Sequence, residues 1–315
     1  MHHGAGFAGR IIDQNRDCRP MTDTLFLPLA LAFIMFSLGL SLRVADFRTV
    51  LGDWRALGVG LLAQIFLLPL VAMAIGIGLG LSEPMLLGLM ILAASPGGVS
   101  SAFLTHLARG NTALSLVMTV SSSLLAVVTL PFLINALLHW QAGGSPVSGE
   151  LRPGDMPLGK LLAGVLLVTT LPVLAGMFLR LRSGLIGERG EIWIGRLATA
   201  FFVAIVIVTF VSHRETIVNG LPEVGAATVL LNLVAMVGGA LLARAACLGR
   251  RETIAIALEC GLQNAGMGIF IAISLFQVPQ LAVPSVVYAL TMNLGALAYL
   301  YFVRRQRAAG WAAVP

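Results

Sequence analysis

An all-α protein that crosses a lipid bilayer many times is the class this sequence predicts. Three observations carry that reading. Hydrophobic residues make up 58% of the 315 positions and charged residues 11%, whereas an ordinary soluble domain is roughly 25% charged. Mean hydropathy is +0.94. The charges are also spaced so that most of the chain lies in long neutral windows, and a bilayer core of roughly 30 Å takes about 20 apolar residues of helix. No window has the even alternation of an outer-membrane barrel strand, so the spans are helices.

The charge-free windows run 24–42, 56–82, 84–108, 110–149, 161–179, 197–213, 224–243 and 260–303. The fourth closes in a loop-like stretch at 141–149, so its helix stops near His139. The last is too long for one helix and is broken by Phe-Gln-Val-Pro-Gln at 276–280. Its tail, 281–303, is the final span, and its head joins 251–259 to make another, which brings the expected count to nine.

Lys and Arg in short loops set the orientation. Fourteen fall on one side: Arg43, Arg48, Arg55, Arg109, Arg180, Arg182, Arg189, Arg196, Arg244, Arg250, Arg251, Arg304, Arg305 and Arg307. Six fall on the other: Arg10, Arg16, Arg19, Arg152, Lys160 and Arg214. The tail 304–315 is therefore cytoplasmic and, with an odd number of spans, the N-terminus is outside the cytoplasmic membrane. Residues 1–20 lack the apolar run of a signal peptide. The stretch 1–21 is expected to be a disordered or mis-started extension, ahead of a single transmembrane domain at 22–303.

Several functions are excluded. The net charge is +6, but the basic residues sit between apolar windows instead of forming one patch, so nucleic acid is not an expected partner. Cys18, Cys247 and Cys260 have no paired spacing and report neither a disulfide framework nor a zinc site. Ser121, Ser122 and Ser123 have no nucleophile elbow and no His or Asp partner, so no enzyme is expected. Gly76 and Gly80 form a GxxxG that reads as close helix packing. His106, His139 and His213 read as interfacial side chains. No obligatory protein partner is implied.

Two spans carry anomalies. Span 3 is interrupted by Ala-Ser-Pro-Gly-Gly-Val-Ser-Ser at 94–101; Pro96 removes a donor, and Gly97 and Gly98 permit a non-helical path. Unpaired backbone in a bilayer costs several kcal/mol per group unless it lines a cavity. The break is therefore either a site or a proline kink repaired by neighbouring serines. Span 8 carries Glu-Cys-Gly-Leu-Gln-Asn-Ala-Gly at 259–266. Glu259 is the one carboxylate well inside a span, at a cost of roughly 2.5–3.5 kcal/mol, and no Arg or Lys lies well inside a span to serve as its partner. The amides of Gln263 and Asn264 and the flanking glycines favour an oxygen-lined cation site over a protonated, hydrogen-bonded acid. Breaks five spans apart fit two inverted repeats, 22–139 with four helices and 157–303 with five, crossing at the broken helices. Half-helix N-termini there attract anions, so the expected substrate is an organic anion.

With these segments in view, the chain resembles the bile acid:sodium symporter family over nearly all of 22–303. The matching pieces are Met-Phe-Ser-Leu-Gly-Leu-Ser-Leu at 35–42, Ala-Gln-Ile-Phe-Leu-Leu-Pro at 63–69, Ser-Pro-Gly-Gly at 95–98, Leu-Ala-Arg-Gly-Asn at 107–111 with Leu-Ser at 114–115, and Glu-Cys-Gly-Leu-Gln-Asn at 259–264. The resemblance implies a panel domain and a core domain, without the opening helix of ten-helix bacterial relatives. It also implies two sodium ions. The first would be held by Ser101, Ser115, Thr119 and Glu259. The second would be held by Gln64, Glu259 and Gln263 with the carbonyls of Cys260 and Leu262. Where the family's motif reads Ser-Asn, this chain has Ser101 then Ala102, so the first site lacks an amide ligand and is weakened, completed by water or absent. Substrate contacts would fall on Asn264 and Asn293, with Val99 and Ser100 close by.

The function these readings imply is sodium-coupled symport of an organic anion by alternating access in a cytoplasmic membrane. The anion is a small carboxylate or pantothenate-like acid, or one of the bile acids for which the family is named. The alternatives are proton-coupled or uncoupled permeation on the same fold, and a non-transporting receptor. The longest internal loop, about 17 residues, leaves little room for an output module.

Overall fold

The computed structural model describes residues 25–52, 54–98, 100–142, 158–182 and 188–308. Residues 1–24, 53, 99, 143–157, 183–187 and 309–315 lie outside the described residues. The protein is an all-α polytopic membrane protein. The helices in order are α1 Leu27–Ser41, α2 Val44–Gly52, α3 Trp54–Gly78, α4 Glu83–Ala94, α5 Ser100–Leu107, α6 Thr112–Ala142, α7 Gly159–Arg182, α8 Glu188–Ser212, α9 Arg214–Ala245, α10 Arg250–Gly261, α11 Ala265–Leu275 and α12 Val283–Ala308. Six of these or their extensions are long and apolar enough to cross a membrane: α3, α6, α7, α8, α9 and Pro279–Arg305.

Most of these helices are apolar on every side. Leu27, Leu31, Met35 and Leu38 of α1 face inward at helical spacing, while Leu70, Phe132, Val211 and Leu294 are exposed on the outside. In water such a surface would aggregate; against lipid tails it costs nothing. The helices pack as two groups. One is α1 with α7 and α8, and the other is α3 to α6 with α9, α10 and α12. The short α11 lies between them, packing on α12 within the second group and on α1 and α8 of the first.

Within the first group, α1 and α7 approach backbone to backbone. A Cβ on Gly39 would overlap the Val173 carbonyl, and one on Gly176 would overlap that of Phe36. Lipid supplies no hydrophobic drive for association, so such close contact is what holds these helices together. Gly176→Ala is expected to lower stability by about 1–3 kcal/mol. Gly58→Ala on α3, where an added Cβ meets nothing within 4 Å, should raise it by roughly 0.5–1 kcal/mol. Thermal unfolding in detergent checks both.

One helix is added to the sequence expectations and two of them are corrected. The charged stretch after span 1 holds an amphipathic helix, α2, with Val50 buried and Arg48 exposed; charges placed on one face do not end a helix. The seventh span runs back to Arg214 through Pro222 and Glu223. Glu223 is tolerated because its Oε1 accepts from Ser82 N at the start of α4. The GxxxG is not one helix face: Gly76 packs against Leu86, but Gly80 sits beyond the helix in a turn at φ 66°.

Candidate functional site

The α4 helix stops at Ala94 because Pro96 has no N–H to continue it, and α10 stops at Gly261, with Leu262 extended at φ −117°, ψ 92°. The two released stretches then pair with each other. Gly97 lies opposite Gln263 as an antiparallel bridge. Gly98 N donates to Leu262 O at 2.6 Å, and Asn264 N donates to Pro96 O at 2.8 Å. Backbone groups that no water can satisfy thus satisfy one another, which is the condition for irregular chain at membrane depth. Both glycines are required by closeness. A Cβ on Gly97 would overlap the Glu259 carboxylate, and one on Gly98 would stand 3.1 Å from Gln263 O.

Glu259 is fully buried beside this crossing. Ser115 Oγ donates to its Oε2 at 2.6 Å and Thr119 Oγ1 to its Oε1 at 2.5 Å. One helical turn separates these two donors on α6, so they share a face. Ser101 Oγ, at the start of α5, is 3.2 Å from Ser115 Oγ. Four of the expected ion ligands are therefore in one cluster. Ser122 and Ser123 donate to Thr119 O, which accounts for two of the three serines in the run.

Gln64, from α3, lies on the same side of the crossing, since the Cβ position of Gly97 faces both the Glu259 carboxylate and Gln64 Nε2. It sits in a π-helical turn, Ala63–Leu67, closed by Leu68 N donating to Ala63 O. The turn precedes Pro69, whose ring would clash with the carbonyl four residues back in a regular helix. The same sequence of π turn then Leu-Pro recurs at Leu166–Thr170 and Pro172. Gln263 donates through Nε2 to Cys260 O at 3.0 Å. Both amide atoms of Gln64 and the Oε1 of Gln263 are buried with no hydrogen-bond partner. Unsatisfied acceptors around a buried acid, with no cation paired to it among the described residues, are the donor set of a hard cation. The arrangement fits sodium.

Asn264 caps α11, accepting from Met267 N at 3.0 Å, and its Nδ2 faces Met35 Sδ of α1 at 3.8 Å. Ser100 opens α5 and is half-buried; Asn293 is half-buried on α12, and its side chain makes no hydrogen bond with any described residue. Val99 lies outside the described residues. Cys260 is buried against Gly239, and the described residues hold no group of three or more His, Cys, Asp or Glu side chains that could bind a metal ion.

Two further residues escape a reading of the sequence. Asn232 of α9 and Tyr288 of α12 both donate to Gly261 O, at 2.5 and 2.8 Å. They hold the last carbonyl of α10 just where its helical partner is lost. The available signal was a lone amide and a lone phenol in apolar spans. Tyr288→Phe leaves one donor on that carbonyl and should cost about 1 kcal/mol. A positioning role predicts that the sodium half-saturation also shifts, which loss of packing alone would not do.

The sequence profile of the sodium bile acid symporter family matches residues 28–220. The chain belongs to this family. The chain is 29% identical over 282 residues to a protein of Bacillus subtilis (strain 168) named as the uncharacterized sodium-dependent transporter YocS, covering 89% of this chain and 84% of that one. It is 30% identical over 285 residues to the probable sodium/metabolite cotransporter BASS2 of rice chloroplasts, covering 90% and 65%. It is likewise 30% identical over 278 residues to the probable sodium/metabolite cotransporter BASS1 of Arabidopsis thaliana chloroplasts, covering 85% and 65%. The chain thus spans just under two thirds of the plastid relatives' length. Membership makes the protein a multi-pass membrane transporter and not an enzyme.

Proposed function

We propose that this symporter couples sodium entry to uptake of an organic anion by alternating access. The N-terminus is outside the cytoplasmic membrane and the C-terminus inside. The observation that carries this reading is the buried Glu259 carboxylate, ringed by three hydroxyls and by amide oxygens without partners. Ser101, Ser115, Thr119 and Glu259 hold the first ion. Gln64, Glu259, Gln263 and the carbonyls of Cys260 and Leu262 hold the second. The C-terminal ends of α4 and α10 meet at the crossing and favour positive charge, while α5 and α11 begin there and favour negative charge. Cation and anion therefore sit on opposite sides of one short bridge.

The anion's place is at Ser100, Val99 and Asn264, with Asn293 from α12. A Cβ at Gly266 would face Leu31 and Phe202, so the start of α11 lies on the seam between the two helix groups. At that end the groups are sealed by Asn264 against Met35, whereas α5 packs on α6, α10 and α12 of its own group. This arrangement suits a state open toward the arginine-rich face, with α1, α7 and α8 as the panel and the remaining helices as the core. The two groups are built from inverted repeats, 22–139 and 157–303, and nine spans in all.

The substrate is a small carboxylate or pantothenate-like acid. The test is uptake of pyruvate, pantothenate and taurocholate into proteoliposomes, with the sodium and pH gradients set independently. Uptake that follows the sodium gradient alone supports the reading. Uptake that follows pH alone overturns it in favour of proton coupling, for which the specific motive is Ala102 standing where an amide ligand is expected. Ala102 is buried next to Ser101, and Ala102→Asn is expected to steepen the dependence of uptake on sodium concentration.

A further inference from the structure

The arginine-rich end of the bundle holds a second feature, unconnected with the crossing. Three of its arginines bind backbone carbonyls: Arg55 donates to Ala246 O and Arg304 to Leu107 O, both at helix ends, and Arg250 donates to Val303 O within α12. Arg109 and Arg251 do not. Both are exposed, neither side chain makes a hydrogen bond or ion pair with any described residue, and both line an open cavity of about 850 Å³ together with His106, Thr112 and Arg250. The nearest acid in sequence, Glu252, is already engaged, its Oε1 accepting from Asn111 Nδ2. The loop is fixed, with Asn111 N donating to Arg251 O at 2.9 Å and Gly110 N to Thr105 O at 2.8 Å. Arg109 itself has φ 57°, a conformation that glycine adopts freely and that costs any other residue. Gly110 is next door, yet the strained position carries the arginine.

We propose that this cavity binds the phosphate of an anionic phospholipid headgroup. Guanidinium forks match phosphate oxygens in pairs, and basic pockets at helix ends on the cytoplasmic side recognise acidic lipids. Phe103, exposed on α5, stands three residues before His106 and so shares its face. That apolar surface leads to the cavity and favours a lipid over a free anion.

The test is thermal unfolding of the purified full chain in detergent, with potassium salts throughout so that the sodium site plays no part. The probes are dioctanoylphosphatidylglycerol, dioctanoylphosphatidylcholine and inorganic phosphate, applied to wild type, Arg109→Gly and Arg251→Gln. Phosphatidylglycerol should raise Tm by several degrees and phosphatidylcholine should not. Arg109→Gly should match or exceed the wild-type Tm without lipid, because glycine relieves the backbone, while its lipid midpoint weakens about fivefold. Arg251→Gln should weaken it similarly, and the double variant about twenty-five-fold. Equal responses to the two lipids, or variants that respond like wild type, would overturn the proposal. A response to inorganic phosphate equal to that for the acidic lipid would overturn the lipid assignment and leave a free-anion site.

Discussion

Glu259→Gln should abolish every sodium-specific rise in thermal stability while leaving the protein folded in potassium. A ligand that binds only the folded state stabilises by about 2.7 kcal/mol at a hundredfold excess over its Kd, a rise in Tm on the order of 5 °C for a protein of this size. The carboxylate is common to both proposed ion sites, so its loss removes the whole effect. Glutamine keeps the volume and can still exchange hydrogen bonds with Ser115 and Thr119, whose hydroxyls now meet Glu259. Removing a buried acid also relieves the roughly 2.5–3.5 kcal/mol that one costs in mid-span. Stability in potassium should therefore hold or increase. A variant equally weakened in sodium, potassium and choline would mean that Glu259 is structural, and the coupling reading would fall.

Gly97→Ala should have the next largest effect. The new methyl would occupy the place of the Glu259 carboxylate oxygen and stand 3.1 Å from Gln64 Nε2. Elsewhere a helix can shift to make room. Here both neighbouring chain stretches are pinned, by Gly98 N on Leu262 O and Asn264 N on Pro96 O, so the carboxylate must yield or the bridge must open. Overpacking of this kind costs about 1–3 kcal/mol, and 3 kcal/mol taken from ion binding is on the order of a hundredfold in Kd. Sodium titration by thermal shift reads this directly. Gly78→Ala, where a Cβ meets nothing within 4 Å, is the control. If the two variants bind sodium alike, the close approach at Gly97 has no functional weight.

The membrane class, the positions of both helix breaks and the identity of the buried acid were legible in the residues themselves. Composition decides the solvent, and Pro96 with its glycines decides where a helix cannot continue. An acid among apolar residues needs a partner wherever the chain folds. Ser101, Ser115 and Thr119 were legible only through resemblance. Hydroxyls are common in membrane helices, and nothing local separates Thr119, which donates to Glu259, from Ser122, which donates to a backbone carbonyl.

What the sequence determined by itself is thus one-dimensional: which stretches enter lipid, where they break, and which groups cannot remain unpaired there. Tertiary structure decided the pairings. Only the packing of α4 and α5 across α10 and α11 makes a bridge of Gly97 and Gln263, brings α6 hydroxyls more than a hundred residues distant in sequence onto Glu259, and places Asn232 and Tyr288 on the Gly261 carbonyl. The same packing let Glu223 remain inside a long helix by giving it the Ser82 N–H. The reason is physical: a polar group in a bilayer must find its partner within the protein, but its own neighbourhood in sequence does not say which partner the fold will bring.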